Sequence, residues 1–206
     1  FDSKYDFMRW DFNLLFMLLV LAFAGTGCQN GNVPETRVTF TKSVDGDIYF
    51  QPEEKNGYEK VMPDSLGNRV LKLDLKEPGY YRYVSTKQVF YPVYLTPGSR
   101  VEIVEDADGV TFKGDHAAEN TFLAENAFIG VSADGVDSYS AEWLKMNGEG
   151  VERVIGKLRE SGLPREFVRQ QELKYRYGFY NQLLEGPALM AMFMNKNVRL
   201  PDDYYD

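Results

Sequence analysis

The stretch VLKLDLKEPGYYRYVSTKQVFYPVYLTPGSRVEI, which runs from Val70 to Ile103, decides the fold class of this 206-residue chain. Leucines occupy every second position from Leu71 to Leu75, with a lysine and an aspartate between them. Proline–glycine pairs, Pro78-Gly79 and Pro97-Gly98, separate the alternating segments. An apolar residue at every second position marks one buried face of a β-strand, and a proline–glycine pair suits a tight turn. The stretch therefore predicts short strands joined by turns.

The same period of two extends in both directions, from Arg37 to about Lys113. The alternating apolar positions are Val38 and Phe40; Ile48 and Phe50; Leu71, Leu73 and Leu75; Tyr81 and Tyr83; Tyr91, Val93 and Leu95; Val101 and Ile103; and Val110 and Phe112. Further turn signals, Asp45-Gly46 and Gly67-Asn68, lie between these runs. Short strands at this spacing are typical of an antiparallel sandwich or barrel. We expect a β-sandwich domain over residues 37–114.

The spacing of apolar residues lengthens near Gly114, which predicts helices. Asp115 is a suitable N-cap for a helix that would run to about Ile129. Ser138 is expected to open a short helix in which Tyr139 and Trp143 lie one turn apart. The second half of the chain is therefore predicted to be helical.

Two more helices are predicted after these. The first has the amphipathic stripe Val151, Val154, Ile155 and Leu158. Gly162 is expected to end it and Pro164 to begin the next, which would break at Gly186-Pro187. Pro201 resembles the start of a last helix that the chain leaves unfinished. The predicted fold class is α+β, an antiparallel β-sandwich followed by a bundle of short helices, with residues 115–206 as a truncated helical connector.

The chain has one cysteine, Cys28, and it follows a segment typical of a bacterial lipoprotein signal. An apolar run from Leu14 to Gly25 leads to Gly27, and this run is too short to span a membrane, which takes about 20 residues. We expect cleavage after Gly27 and a lipid anchor on Cys28. Residues 1–27 would be upstream read-through and signal peptide, and residues 28–36 a tether. An ordinary secretory signal with an incidental cysteine is the alternative.

Composition and motifs argue against several functions. The net charge is −8 and there is no basic run, which argues against nucleic acid as a partner. A single cysteine and a single histidine leave no disulfide and no zinc site. We predict no catalytic residue, no metal and no cofactor, and so no enzyme activity for this chain. Two acidic groups have a simpler explanation as residues of helix starts: Asp115 and Glu119 with His116, and Asp202, Asp203 and Asp206.

Tyrosines are concentrated in one part of the predicted sheet, and they are the strongest candidate contact residues. These tyrosines are Tyr80, Tyr81, Tyr83, Tyr91 and Tyr94. Alternation places Tyr81 and Tyr83 on one face and Tyr80 on the other. Core or interdomain packing is the simpler reading, and exposed rings that stack on a glycan are the alternative.

Aromatic residues also crowd more than one face of the helix that follows Pro164, and methionines recur near its end. The aromatics are Tyr175, Tyr177, Phe179 and Tyr180, and the methionines Met190, Met192 and Met194. The aromatic pattern predicts a helix buried between two partners. The methionines are expected to fill gaps in a core.

Several segments resemble the front part of Bacteroidota lipoproteins that end in a thioredoxin-like domain of the TlpA type. VMPDSLGNRVLKLDLKEPGYYRYV (61–84) and YLTPGSRVEI (94–103) are similar to their DUF4369-like β-sandwich. KGDHAAENTFL (113–123) resembles the exit of that module into helices. LPREFVRQQELKYRYGFYNQLL (163–184) and LPDDYYD (200–206) are similar to the connector before the thioredoxin domain.

The resemblance implies a fold and a setting, and it supplies no catalytic residue, because the Cys-x-x-Cys pair of the family is missing here. It implies a non-catalytic, lipid-anchored accessory region that docks substrate or forms a homodimer, with a C-terminal thioredoxin-like domain in cis. Gln29-Asn30-Gly31-Asn32 carries no acidic residue, which favours the periplasm-facing side of the outer membrane over the cell surface. A ligand-binding lipoprotein, with glycan as one candidate ligand, is the alternative.

Overall fold

The computed structural model describes residues 34–126, 137–194, 200, 201 and 204. The chain from Glu35 onward forms one compact unit. The strands are β1 (Thr36–Lys42), β2 (Tyr49–Pro52), β3 (Arg69–Leu73), β4 (Gly79–Val84), β5 (Phe90–Leu95), β6 (Arg100–Glu105) and β7 (Val110–Gly114). The helices are α1 (Ala117–Glu125), α2 (Ala141–Glu160) and α3 (Arg165–Met194). The α+β fold class, a β-sandwich followed by helices, is confirmed, and each alternating run of the sequence forms or adjoins a strand.

The strands form two sheets, one in the order β3-β1-β6-β7 and one in the order β2-β4-β5. All neighbouring strands are antiparallel except β1 and β6, which run parallel, with Val38 opposite Val101 and Phe40 opposite Ile103. A parallel pair needs a long crossover connection, and strands β2 to β5 supply it here. The sandwich is therefore mixed at its centre, where a purely antiparallel one was expected.

The core of the sandwich consists of the alternating apolar residues of both sheets. Val38, Val93, Leu95 and Ile103 are almost completely buried in it. Phe40 packs on Phe50 edge to face, with ring centroids 5.4 Å apart. Burial of each large apolar side chain contributes roughly 1.5–3 kcal/mol. These contacts hold the two sheets together.

The start of α1 differs from the prediction, because Asp115 is not the N-cap. His116 occupies that position with a left-handed backbone, φ 60°, and its side chain makes no capping bond. The Asp115 carboxylate instead accepts the Arg100 N–H, 2.8 Å away. Gly114, φ +81°, makes this turn possible, since a Cβ there would overlap the Arg100 carbonyl oxygen. The helix ends at Glu125, and Ile129 lies outside the described residues.

Helix α2 is a single helix of 20 residues where two were predicted. Its N-cap is Ser140, whose hydroxyl accepts the Trp143 N–H at 3.2 Å, so Ser138 and Tyr139 precede the helix. The helix continues through Gly148, where an added Cβ would lie at an ordinary van der Waals distance, 3.9 Å, from the Phe179 ring of α3. Gly162 and Pro164 separate α2 from α3 as predicted.

Helix α3 is 30 residues long and runs through Gly186-Pro187, where a break was predicted. A proline inside a helix leaves the carbonyl four residues earlier without its N–H partner. That carbonyl belongs to Leu183, and it accepts the Tyr204 hydroxyl at 2.7 Å. Gly186 adds space, because a Cβ there would overlap the Tyr139 hydroxyl. The Gly-Pro pair therefore lies inside one continuous helix, where Gly186 makes room for Tyr139. The described helices are fewer and longer than predicted.

Candidate functional site

Helix α3 lies over the outer face of the three-stranded sheet, and the candidate site is formed beneath it. Tyr94, Leu123, Phe167 and Tyr175 belong to a second buried cluster, distinct from the sandwich core. The Tyr94 ring meets the Phe167 ring edge to face at 5.1 Å. The outer face of the sheet is thus an interface with the helices.

The sheet tyrosines divide between the two faces as the alternation predicted. Tyr81 and Tyr83 are buried in the sandwich core, and Tyr91 packs partly against it. Tyr94 and, in part, Tyr80 are buried under the helices. None of the five is exposed. The rings lie in the sandwich core or under the helices, and the alternative of exposed rings that stack on a glycan does not match this placement.

A cavity of about 330 Å³ lies between β4, β5, α1 and α3, and we name it the sub-helix cavity. Its lining is mostly aromatic and apolar, with a few polar groups. The lining residues are Glu53, Tyr80, Tyr81, Arg82, Phe90, Pro92, Leu123, Gln171, Lys174, Tyr175, Gly178, Phe179 and Gln182. Concave, largely apolar spaces with a small number of polar groups are the usual form of a small-molecule site.

Two buried polar atoms of the cavity lining have no hydrogen-bond partner among the described residues. They are the Tyr80 hydroxyl and the Gln171 side-chain carbonyl oxygen. The Gln171 side chain belongs to a residue only 3% exposed. Both atoms have almost no exposed surface, so they lie behind the cavity wall.

Charged groups meet at the edge of the same cavity. Lys174 of α3 forms an ion pair with Glu53, and its ammonium lies 3.5 Å from the centroid of the Tyr80 ring. Arg82 donates to the Glu53 backbone carbonyl at 2.9 Å and lies over the Phe90 ring. Two cations therefore face one carboxylate in the cavity lining, which leaves a net positive charge.

Burial keeps the phenols of this region protonated well above neutral pH. Desolvation raises the pKa of Tyr175 to about 12. Desolvation, with the nearby Tyr94 and Glu53, raises the pKa of Tyr80 strongly. The Tyr175 hydroxyl donates to the Asn126 carbonyl at 3.0 Å. The Tyr80 hydroxyl thus remains a hydrogen-bond donor that faces no acceptor in the described part of the chain.

One residue of this region carries no sequence signal, and it joins the helices to the sheet. Asn120 of α1 is completely buried beside β5, an edge strand of its sheet. Its carbonyl oxygen accepts the Tyr94 N–H at 2.6 Å, and its amide nitrogen donates to the Tyr94 carbonyl at 3.2 Å. The side-chain amide thus replaces a neighbouring strand at this position. In the sequence, Asn120 is one polar residue of a predicted helix, and nothing there indicates its burial or its contact with β5.

His116 and Glu119 do come together, with Thr96 as a third member. The Nε2 atom of His116 lies 2.8 Å from the Thr96 hydroxyl, and its Nδ1 atom lies 3.2 Å from the Glu119 carboxylate. A carboxylate, a histidine and a hydroxyl in this order also occur where a histidine activates a hydroxyl as a nucleophile. Thr96, however, does not line the sub-helix cavity. Glu119 is buried and the His116 ring packs on Tyr94 at 5.2 Å. We interpret the trio as a link between α1 and the sheet.

The side of α3 that faces away from the sheet carries apolar residues in contact with solvent. Leu173, Tyr177, Tyr180 and Leu184 form this outer stripe of α3, and each is at least 42% exposed. Their spacing keeps them on one helix face. Tyr177 and Tyr180 were among the aromatic residues predicted to face partners on two sides of this helix, and none of the described elements covers the stripe. Phe179, on another face, packs partly against the second cluster.

Several predicted features lie outside the described residues: Gly27 and Cys28, the tether before Pro34, and Asp202, Asp203 and Asp206. Met190 and Met192 lie on α3, with Met192 exposed, so it does not fill a core. In the described ranges no group of three acidic, histidine or cysteine side chains is placed to hold a metal ion. No described helix is long and apolar enough to cross a bilayer.

Comparison of the chain with protein-family models, with curated proteins and with solved structures found no match.

Proposed function

We propose that this chain is the non-catalytic, lipid-anchored accessory region of a thioredoxin-like thiol–disulfide oxidoreductase in the bacterial cell envelope, on the periplasmic side. Cys28 carries the lipid, and the outer stripe of α3 docks the redox domain in cis. The observation that carries the proposal is that stripe, since Tyr177 and Leu184 are each 63% exposed on a helix whose other side is packed. Exposed apolar patches of this kind mark interaction sites.

The segments that carry the family resemblance support the proposal. The GYYRYV part of the first segment forms β4, and YLTPGSRVEI contains the end of β5, the turn that crosses from one sheet to the other, and most of β6. The third segment forms the passage from β7 into α1. The segment from Leu163 to Leu184 contains the start of α3 and the complete outer stripe. A connector of this family would have to meet the thioredoxin domain, and the stripe lies in that connector.

The position of Tyr204 supports a partner in cis. Its hydroxyl bonds to the Leu183 carbonyl, and its ring meets the Tyr139 ring at 6.4 Å. Tyr204 therefore lies against the part of α3 that carries the end of the outer stripe. A domain that continues from here would begin close to that helix, so that a short linker would be enough for docking.

The first test reads the coding sequence past the codon for Asp206. The proposal expects an open frame with a Cys-x-x-Cys within about 150 codons, roughly one domain length. The continued protein is then compared with its Tyr177→Glu/Leu184→Glu variant by small-angle scattering. We expect a compact parent and an extended variant with unchanged reduction of a small disulfide. Leu66→Glu, at a loop position that is 84% exposed, is the matched control and should stay compact.

Three results would contradict the proposal. A stop codon directly after Asp206 removes the redox domain. Equal scattering of the parent and the double variant removes the docking role of the stripe. In sedimentation, the present chain could be a dimer and the double variant a monomer. A second copy of this chain, and not the domain in cis, would then cover the outer stripe.

A further inference from the structure

The sub-helix cavity is independent of the outer stripe and contains groups that the docking proposal does not use. From its size, lining and charge, we propose that it binds a small organic anion with a flat apolar body, such as an aryl or heteroaryl carboxylate.

The volume sets the size of the ligand. A cavity of about 330 Å³ is at the lower end of the range for ligand sites, about 300–1,000 Å³. Liquid water takes about 30 Å³ per molecule, so the space corresponds to on the order of ten non-hydrogen atoms. A ligand of this size has one or two rings. An oligosaccharide or a folded peptide does not fit.

The lining sets the character of its body. The Phe90, Tyr175 and Phe179 rings and the Leu123 side chain present apolar surface to the cavity. Lys174 already occupies one face of the Tyr80 ring. A flat apolar body gains from contact with such walls because its burial removes apolar surface from water. A sugar would place several hydroxyl groups against walls that offer few partners.

The charged groups set the sign of the ligand. Lys174 and Arg82 are the cations of the lining, and Glu53 is its carboxylate. An anionic group at this edge completes the charge balance, and its hydrogen bonds to these cations are stronger than those between neutral groups. A cationic ligand would meet two like charges. The site therefore favours a monoanion.

The two unpaired atoms, the Tyr80 hydroxyl and the Gln171 side-chain oxygen, have almost no exposed surface, so a ligand in the cavity does not contact them. The ligand is therefore defined by the size, the apolar walls and the charge of the cavity.

Indole-3-acetate is the probe for this site, because it combines a flat apolar bicyclic ring with one carboxylate. Binding to the chain is measured by isothermal titration calorimetry. We expect binding by the parent, and affinity at least about tenfold lower for tryptamine, in which an ammonium replaces the carboxylate.

Gly178 permits a variant that blocks the cavity and keeps the fold. It lines the cavity from α3, and a Cβ added there meets no atom within 4 Å. Gly178→Leu should abolish binding of indole-3-acetate. Gly156→Leu is the matched control, since Gly156 lies in α2, is equally open, and does not line the cavity. Thermal unfolding of both variants verifies the fold.

Lys174→Gln should weaken binding of indole-3-acetate by about tenfold, the loss of one charge-assisted hydrogen bond. The proposal is overturned if the parent does not bind the probe at millimolar concentration, or if tryptamine binds equally well. Unchanged binding by a folded Gly178→Leu variant would also overturn it, because the probe would then lie elsewhere, with the outer stripe of α3 as the nearest apolar surface. None of these results bears on the redox domain.

Discussion

Asn120 is the residue whose loss should do most to separate the helices from the sheet. Its side-chain amide satisfies both the N–H and the carbonyl of Tyr94, and both residues are buried. Asn120→Ala leaves two buried backbone groups without partners at a place that water does not reach. Each such group costs roughly 1–3 kcal/mol. We expect the free energy of unfolding to fall by about 3 kcal/mol.

Urea unfolding followed by Trp143 fluorescence measures this loss, because Trp143 is buried near the start of α2. With a slope of about 2 kcal/mol per molar urea, a loss of about 3 kcal/mol lowers the midpoint by about 1.5 M. Thr121→Ala is the matched control, since Thr121 is the next residue of α1 and is exposed. It should move the midpoint by less than about 0.3 M, as surface substitutions usually do.

Asn120→Asp distinguishes the contributions of the two hydrogen bonds that Asn120 makes with the Tyr94 backbone. An aspartate keeps an acceptor for the Tyr94 N–H and loses the donor to the Tyr94 carbonyl, and it buries a charge as well. We expect it to be at least as destabilising as Asn120→Ala at pH 7 and to recover part of the loss at acidic pH, where the carboxyl is protonated. A midpoint for Asn120→Ala within about 0.5 M of the parent would refute the reasoning.

Three further predictions concern packing and protonation. Gly186→Ala should lower stability by about 1–3 kcal/mol in calorimetry, because the added Cβ overlaps the Tyr139 hydroxyl. An unchanged melting temperature would show that Tyr139 does not pack closely on Gly186. Glu105→Gln should lower the free energy of unfolding, measured in urea, by about 2–3 kcal/mol. The buried carboxylate accepts the Thr86 N–H at 2.9 Å and the Tyr83 hydroxyl at 2.5 Å, and an amide cannot accept from all of these donors. The pKa of Tyr175 is about 12 in the folded state, against 10.0 for an exposed tyrosine. Its contribution to the free energy of unfolding is therefore complete below pH 10, and it falls by about 1.4 kcal/mol per pH unit as the pH rises to 12. Tyr175→Phe should flatten that alkaline dependence, and an equally steep slope in the variant would show that other phenols cause it.

The sequence was sufficient to locate every strand, because alternation directly reflects which side chains face the core. It also placed Tyr80 and Tyr81 on opposite faces of β4 correctly. The pairing of strands could not be predicted in the same way. Alternation identifies the buried face of a strand and says nothing about its neighbour, so the parallel β1–β6 pair has no local signal.

Helix boundaries were wrong where tertiary contacts outweigh local preference. The pair Gly186-Pro187 was interpreted as a break, but the missing side chain of Gly186 leaves space for Tyr139 inside one continuous helix. Pro187 is tolerated because Tyr204, far along the chain, supplies the missing donor to Leu183. None of these compensations can be predicted from the residues near the helix itself.

The sub-helix cavity could not be predicted from sequence, because its lining comes from β4, β5, α1, α3 and Glu53 after β2, and contains no recurring motif. The outer stripe of α3 can be recognised from sequence, since its residues recur at helical spacing within one segment. The difference is physical. A stripe is a local property of one helix, whereas a cavity depends on how separate elements pack.

The two proposed sites lie on different faces of the same helix, so single substitutions can test them separately. Successive residues of a helix point about 100° apart, and Tyr177 and Gly178 show the consequence. Tyr177 is 63% exposed, whereas Gly178 lines the cavity. Tyr177→Glu should therefore leave binding of indole-3-acetate unchanged, and Gly178→Leu should leave docking unchanged. If either substitution alters both properties, α3 shifts as a unit when one face is occupied, and the ligand would then control the docking of the redox domain.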